Sequence, residues 1–240
     1  MKFIVCENYD EMSKEAAKIV TEQLKEKNDS ILGLATGSTP VGLYKELIAE
    51  YKAGNISFKN VKSFNLDEYY PIPKDNDQSY YYFMNDNLFS HVDILPENTD
   101  IPNGEAPDAK KECEDYEKRI AASAGVDIQI LGIGQNGHIG FNEPDVNLDC
   151  VTHLTDLTQN TIEANSRFFE SIDLVPKAAL TMGIGTIMKA KKIILLASGA
   201  NKKEAIDALK NSYLNTNVPA TMLKLHEDVT VICDKAAYGD

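Results

Sequence analysis

The sequence predicts an α/β fold: a Rossmann-like open sheet with mainly parallel strands and helices on both faces. Short apolar runs, typical of buried strands, alternate along the chain with longer segments whose apolar residues have helical spacing. The 240 residues contain no internal repeat, low-complexity tract or linker. We therefore expect residues 1–240 to form a single domain.

Most of the predicted strands are short, mainly apolar runs that end at polar residues, glycine or charge. The predicted strands are residues 3–6, 31–35, 61–66, 126–133, 192–197 and 229–233. Each predicted helix has apolar residues three or four positions apart, as at Met12, Ala16, Ile19 and Val20. These segments are residues 9–27, 41–51, 79–89, 106–123, 157–169, 178–189 and 201–209.

The composition is ordinary for a soluble globular protein, with 43% hydrophobic and 25% charged residues. No apolar run approaches the roughly 18 to 20 residues that cross a bilayer, and the apolar start is too short for a signal peptide. We therefore expect a cytoplasmic protein without a membrane partner. A net charge of −13 argues against nucleic acid. The four cysteines are scattered, with no Cys-x-x-Cys, so we expect no disulfide framework. The four histidines have no mutual metal-ligand spacing, so we expect no metal site.

The most distinctive segment follows the strand predicted at residues 126–133. It contains four glycines within nine residues, and Asn136, His138 and Glu143 lie among or just after them. Imidazole is well suited to moving protons near neutral pH, and a nearby carboxylate can orient it. Because ligands of a parallel sheet bind beyond the carboxyl ends of its strands, these residues are candidate acid–base groups. The alternative is a solvated glycine-rich surface loop.

A second strand end has the features of a phosphate site. Its residues are Thr36, Gly37, Ser38 and Thr39. With Pro40 at the first helical position and Thr39 as the N-cap, backbone N–H groups and hydroxyls would face an anion. The spacing of a nucleoside-triphosphate loop is absent. Arg167 and Lys202 are the candidate cations, and an ordinary capped helix start is the alternative.

Asp67 directly follows the strand predicted at residues 61–66. A carboxylate in a dry site can act as a base toward a carbon-bound proton. The alternative is an exposed loop acid beside Glu68. Because the three strand ends would lie at one edge of the sheet, we expect them to share one pocket.

With these residues in place, the sequence resembles the glucosamine-6-phosphate deaminase family over nearly its whole length. The motifs are LGLATGSTP at residues 32–40, SFNLDEY at 63–69, QSYY at 78–81, GQNGHIGFNEP at 134–144, ANSRFF at 164–169 and ALTMGIG at 179–185. The resemblance implies conversion of glucosamine 6-phosphate and water to fructose 6-phosphate and ammonia. It places the enzyme in amino-sugar catabolism, in N-acetylglucosamine utilisation, without a metal or redox cofactor.

The resemblance also implies a role for each candidate residue. Asp67 corresponds to the enolisation base, which moves a proton between C2 and C1. His138 corresponds to the ring-opening histidine and Glu143 to its partner, while Asn136 occupies a position that is Asp in some members. The residues that correspond to the phosphate contacts are Thr36, Gly37, Ser38, Thr39, Arg167 and Lys202.

Some family members are hexamers that N-acetylglucosamine 6-phosphate activates through a basic cluster and a longer tail. Residues 152–157 contain no Lys or Arg, and the sequence stops at Asp240. We therefore expect a monomer or small homo-oligomer without this activation. A sigmoidal rate curve that the acetylated sugar phosphate straightens would contradict this expectation.

Two other functions remain open. A 6-phosphogluconolactonase would share the phosphate and histidine loops, but lactone hydrolysis gives no role to a C2 base at Asp67. A non-catalytic sugar-phosphate sensor of a transcription regulator would need a helix-turn-helix segment. The sequence has no spare length for such a segment, and its charge does not suit DNA.

Overall fold

The computed structural model describes residues 1–165, 171 and 174–240. The strands are β1 (Lys2–Cys6), β2 (Ile31–Leu34), β3 (Lys62–Asn65), β4 (Asp67–Tyr70), β5 (Thr99–Asp100), β6 (Ile128–Gly132), β7 (His153–Asp156), β8 (Ala178–Thr181), β9 (Lys192–Ala197) and β10 (Val229–Asp234). The α-helices are α1 (Tyr9–Glu26), α2 (Val41–Lys52), α3 (Tyr80–Asn87), α4 (Ala109–Ala122), α5 (Gln159–Asn165), α6 (Ile184–Ile187), α7 (Lys203–Lys210) and α8 (Lys235–Tyr238).

The predicted parallel sheet is confirmed. Within the described residues it has seven strands in the order β1-β10-β9-β6-β2-β3-β5, and neighbouring strands are parallel. From β2 the chain continues outward to β3 and β5, whereas from β6 it continues in the other direction to β9 and β10. The loops after β2 and β6 therefore diverge, and the crevice between them is where sheets of this type bind ligands.

Side chains from both faces of the sheet form the core, which explains the continuous apolar runs of the central strands. In β9, Ile193 and Leu195 pack in a cluster with Ile206 of α7, whereas Ile194 and Leu196 pack in another with residues of α1 and α2. Full burial of each such side chain stabilises the fold by roughly 1.5–3 kcal/mol. The helices are thereby held on both faces, as predicted.

Among the described residues, five helices begin directly after a residue whose side chain accepts an N–H of the first turn. These N-cap residues are Asn8, Ser79, Asp108, Thr158 and Asp234. In the described part of the chain, no helix is both long and apolar enough to cross a membrane.

The helix predicted at residues 178–189 is wrong at its start. Ala178–Thr181 is strand β8, which joins β4 and β7 in a second, antiparallel sheet of the described residues, in the order β4-β8-β7. A Cβ on Gly183 would lie 2.4 Å from the Val151 carbonyl oxygen, so the backbone there passes directly against the neighbouring loop. Pairing with β4 and β7 makes residues 178–181 a strand in place of the predicted helix, and the chain continues into the short α6.

Strands β4, β5 and β7 were not predicted, because their residues follow no clear period of two. The helix predicted at residues 157–169 is present as α5, Gln159–Asn165, and the rest of that prediction lies outside the described residues. The other predicted helices and strands are present, with ends shifted by a few residues.

Candidate active site

The glycine-rich loop after β6 forms a tight turn that returns His138 to the strand end. The Gly134 N–H donates to the His138 carbonyl oxygen at 2.9 Å, and the Gly137 N–H donates to that of Gly134 at 3.0 Å. Gly137 has φ +83°, a left-handed conformation that glycine adopts without steric cost. A Cβ on Gly134 would lie 2.4 Å from Cε1 of His138, so the ring packs directly on the bare backbone.

Gly134→Ala is expected to push the His138 ring out of place and reduce turnover about tenfold, since small displacements of reacting groups are costly. The measurement is the steady-state rate of ammonia release. Gly132→Ala is the matched control, because a Cβ on Gly132 meets nothing within 4 Å. Equal rates for the two variants would contradict this role of Gly134.

His138, Glu143 and Asn136 form one connected group. His138 Nδ1 lies 3.2 Å from Glu143 Oε1, and Asn136 Nδ2 donates to Glu143 Oε2 at 2.7 Å. Thr161 of α5 donates its hydroxyl to Glu143 Oε1 at 3.0 Å. Burial alone would raise the pKa of Glu143, but its interactions with His138, Asn136 and Thr161 outweigh burial and lower that pKa. The ionised Glu143 can therefore orient the imidazole.

Asp67 is the first residue of β4 and is buried, with only 6% of its surface exposed. Burial, together with the negative charge of Glu68, raises the pKa of Asp67 to about 8. The buried Glu68 caps the start of α3, where its carboxylate accepts the N–H groups of Tyr80 and Tyr81 at 2.8 Å each. The interpretation of Asp67 as an exposed loop acid is therefore wrong.

Asp67 lies against the histidine loop. A Cβ on Gly140 would come within 3.6 Å of Asp67 Oδ2 and within 2.9 Å of Thr181 Oγ1. The loop backbone thus approaches the carboxylate closely, as expected for two strand ends that share a pocket.

The candidate phosphate loop, residues 36–40, follows β2 at the crevice. Gly37 has φ +87°, which turns the backbone at this point. The prediction of Thr39 as the N-cap is wrong. Pro40 is the N-cap residue of α2, and this helix start has no side-chain cap hydrogen bond. Instead, the Tyr9 hydroxyl donates to the Ser38 carbonyl oxygen at 3.0 Å and accepts the Gly42 N–H at 2.7 Å. Tyr9 therefore holds this loop to the start of α2.

Lys202 follows β9, the neighbour of β6 in the sheet. Burial lowers the pKa of its ammonium group. Among the described residues no carboxylate forms an ion pair with Lys202, so an anionic ligand would offset part of its desolvation. Arg167, the other predicted cation, lies outside the described residues.

The hydroxyls of Tyr9, Thr161 and Thr181 hold the loops of the site and were not predicted from the sequence. Each makes its contact with a residue at least 18 positions away, so no local motif could have identified it. Within the described ranges, no group of three or more His, Cys, Asp or Glu side chains is arranged to hold a metal ion.

Comparison with known proteins places these observations in a family. The sequence model described as "Glucosamine-6-phosphate isomerases/6-phosphogluconolactonase" matches residues 7–232. A glucosamine-6-phosphate deaminase of Thermoanaerobacter sp. (strain X514) is 58% identical over 99% of this chain and 94% of its own length.

Solved structures show the same fold. A monomeric glucosamine-6-phosphate deaminase is 47% identical, with a TM-score of 0.97 and coverage of 100% of this chain and 99% of that one. A 6-phosphogluconolactonase from Trypanosoma brucei shares the fold at 21% identity, with a TM-score of 0.82 and coverage of 99% and 97%. The resemblance drawn from the motifs is confirmed: the chain belongs to the family of glucosamine-6-phosphate isomerases and 6-phosphogluconolactonases.

Proposed function

We propose that this protein is a cytoplasmic enzyme of amino-sugar catabolism that converts glucosamine 6-phosphate and water to fructose 6-phosphate and ammonia. The observation that carries the proposal is the buried Asp67, a carboxylate with a raised pKa that lies against the His138 loop. Such a group is suited to accept and return a carbon-bound proton. The 58% identity to a glucosamine-6-phosphate deaminase also supports it.

The first step opens the sugar ring. His138 takes the proton of the C1 hydroxyl and delivers a proton to the ring oxygen, so the C1–O5 bond breaks and an aldehyde forms at C1. Glu143 holds the imidazole through Nδ1, and Asn136 and Thr161 hold Glu143 in turn. This arrangement directs Nε2 of His138 toward the substrate.

The second step moves a proton between neighbouring carbons. The Asp67 carboxylate takes the proton from C2, the C1 oxygen gains a proton, and an enolamine forms across C1 and C2. Asp67 then returns its proton to C1 while the nitrogen forms a double bond with C2. Water adds at C2 and ammonia leaves, which yields the ketose. The substrate's own carbonyl and amine accept the electron pairs throughout.

Residues Thr36, Gly37, Ser38 and Thr39 and the ammonium of Lys202 bind the substrate phosphate in this proposal, with Arg167 as a further cation. The loop supplies N–H groups and hydroxyls at the start of α2, and Lys202 supplies a positive charge. A local cation is needed because the net charge of −13 repels a phosphate.

Lys202→Met is expected to raise the KM for glucosamine 6-phosphate at least about tenfold and to change kcat less, because it removes binding energy distant from the reacting carbons. Steady-state kinetics measures both constants. Lys203→Met is the control, since Lys203 pairs with Asp207 on the surface. A KM unchanged by Lys202→Met would remove Lys202 from the phosphate site.

The test of the proposed function is coupled detection of fructose 6-phosphate and ammonia from glucosamine 6-phosphate. Ammonia and ketose should appear in equal amounts. A lactonase would instead hydrolyse a sugar-phosphate lactone without ammonia release, and a sensor would bind the sugar phosphate without turnover. Either result would overturn the proposal.

We further propose that the protein acts as a monomer without activation by N-acetylglucosamine 6-phosphate. The similarity to a monomeric glucosamine-6-phosphate deaminase supports this assembly. Light scattering during chromatography, together with rate curves measured with and without the effector, tests both statements.

A further inference from the structure

The two reacting groups of the proposed site come from different parts of the fold. Asp67 begins β4 of the small antiparallel sheet, whereas His138 lies in the loop after β6 of the large parallel sheet. Both groups must address adjacent atoms of one sugar, so the gap between them has to be set by contacts that join the two sheets.

Thr181, the last residue of β8, occupies this junction. It lies directly across from Asp67 in the antiparallel pairing of β4 and β8, and partners in such a pair project to the same face. Thr181 is fully buried, and its hydroxyl oxygen accepts the N–H of Phe141 in the histidine loop at 3.1 Å. One residue therefore contacts both halves of the site.

The space around Thr181 is tight. Gly140 has a left-handed backbone conformation, with φ +58°. A Cβ added to it would lie 2.9 Å from Thr181 Oγ1 and 3.6 Å from Asp67 Oδ2. The histidine loop thus rests on the threonine hydroxyl beside the carboxylate. Because the packing is this close, a shift of a fraction of an ångström at Thr181 changes the distance between the Asp67 carboxylate and the histidine loop.

The residue after Thr181 reinforces the same junction. The Met182 N–H donates to the Leu66 carbonyl oxygen at 2.8 Å, next to Asp67. The Met182 carbonyl oxygen accepts Nδ2 of Asn142, also at 2.8 Å, in the histidine loop. The end of β8 is therefore bonded to the segment that carries the carboxylate and to the segment that carries the imidazole.

We propose that Thr181 is a positioning residue for this reaction: its hydroxyl bond to Phe141 sets the distance between the Asp67 carboxylate and the His138 loop. The inference rests on the proposed function. Loss of the hydroxyl leaves the Phe141 N–H without its buried acceptor, and the loop shifts to find another.

Thr181→Val, which keeps the side-chain shape, tests the inference. It is expected to reduce kcat about tenfold or more while KM for glucosamine 6-phosphate stays within about twofold, because the phosphate contacts are untouched. Thr181→Ser, which keeps the acceptor, should restore most of the rate.

Thr186→Val is the matched control. The hydroxyl of Thr186, in α6, donates to Glu117 Oε1 of α4 at 2.6 Å and to the Cys150 carbonyl oxygen at 3.3 Å. Neither partner is a proposed site residue, so this variant should lose stability but keep kcat. If Thr181→Val does not fold, Thr181→Cys, which keeps the size but is a poor acceptor, is judged by the same criteria.

If the wild type is active and a variant without the hydroxyl at position 181 is equally active, this inference alone is overturned. A Thr181→Ser variant that is as slow as Thr181→Val, or a Thr186→Val variant with the same loss of kcat, would also overturn it. A wild type that releases no ammonia would overturn the proposed function and this inference together.

Discussion

Asp67→Asn is expected to reduce ammonia release by about three to four orders of magnitude, because an amide cannot accept the C2 proton. Substrate binding should be largely retained, since the proposed phosphate contacts come from other loops. Ammonia release measures the rate, and calorimetric titration with fructose 6-phosphate measures binding. Asp115→Asn on the surface of α4 is the control and should keep full activity. Full activity of Asp67→Asn would remove Asp67 from the mechanism.

The same variant should be more stable than wild type at alkaline pH. The pKa of Asp67 is raised from 3.8 to about 8, so between these values the folded protein holds a proton that the unfolded chain releases. The contribution of Asp67 to folding stability is therefore highest at low pH and falls as the pH rises toward 8. Asparagine carries no charge, so the Tm advantage of Asp67→Asn should be large at pH 9 and shrink toward pH 4.

This pKa also predicts the pH profile of the wild type. The base must be ionised, so kcat/KM should fall as the pH drops below about 8, the pKa of Asp67 in the free enzyme. A Tm difference that is independent of pH, or a kcat/KM that stays constant from pH 9 to pH 5, would contradict the raised pKa.

His138→Gln is expected to slow turnover of glucosamine 6-phosphate by about 10² to 10³, the range for loss of a positioned acid–base group. Glutamine has a similar reach but cannot shuttle a proton to the ring oxygen. The diagnostic substrate is the 4,5-dideoxy analogue of glucosamine 6-phosphate, which lacks the hydroxyls that close a pyranose or a furanose ring and therefore stays open. If His138 serves ring opening, the variant should regain most of the wild-type rate with this analogue.

His91→Gln is the control for this experiment, because His91 bonds the Asp86 carbonyl oxygen on the surface near α3. An equal defect of His138→Gln on the cyclic and the acyclic substrate would show that the imidazole acts in a later step. The ring-opening role would then be wrong, although His138 would still be part of the site.

The sequence was sufficient to predict six of the seven strands that the described residues form in the large sheet, because most of them are mainly apolar runs buried on both faces. The edge strand β5 is only Thr99–Asp100 and was not predicted. The sequence also singled out Asp67, which directly follows the strand predicted at residues 61–66, and His138, which lies in the glycine-rich loop after the strand predicted at residues 126–133. It could not predict β8: Ala179, Leu180 and Met182 fit a helical face equally well. The pairing with β4 that decides the conformation involves a segment far away in the sequence. The Thr181 hydroxyl contact depends on that register, and the Tyr9 hydroxyl contacts join the start of α1 to the loop before α2. Both were missed because their partners are distant in the sequence.

The site is divided between two sheets, which has a consequence for how such proteins diversify. The phosphate loop, Lys202 and the histidine loop leave strands of the large sheet, whereas Asp67 starts a strand of the small one. Substitutions in the small sheet can therefore alter the base while the means of holding a phosphorylated sugar stays intact. Under the proposed roles, selection can change the base at Asp67 without changing the phosphate contacts, whereas ring opening by His138 remains a property of the large sheet. One ancestral scaffold can thereby give rise to enzymes that bind similar sugars but transform them differently.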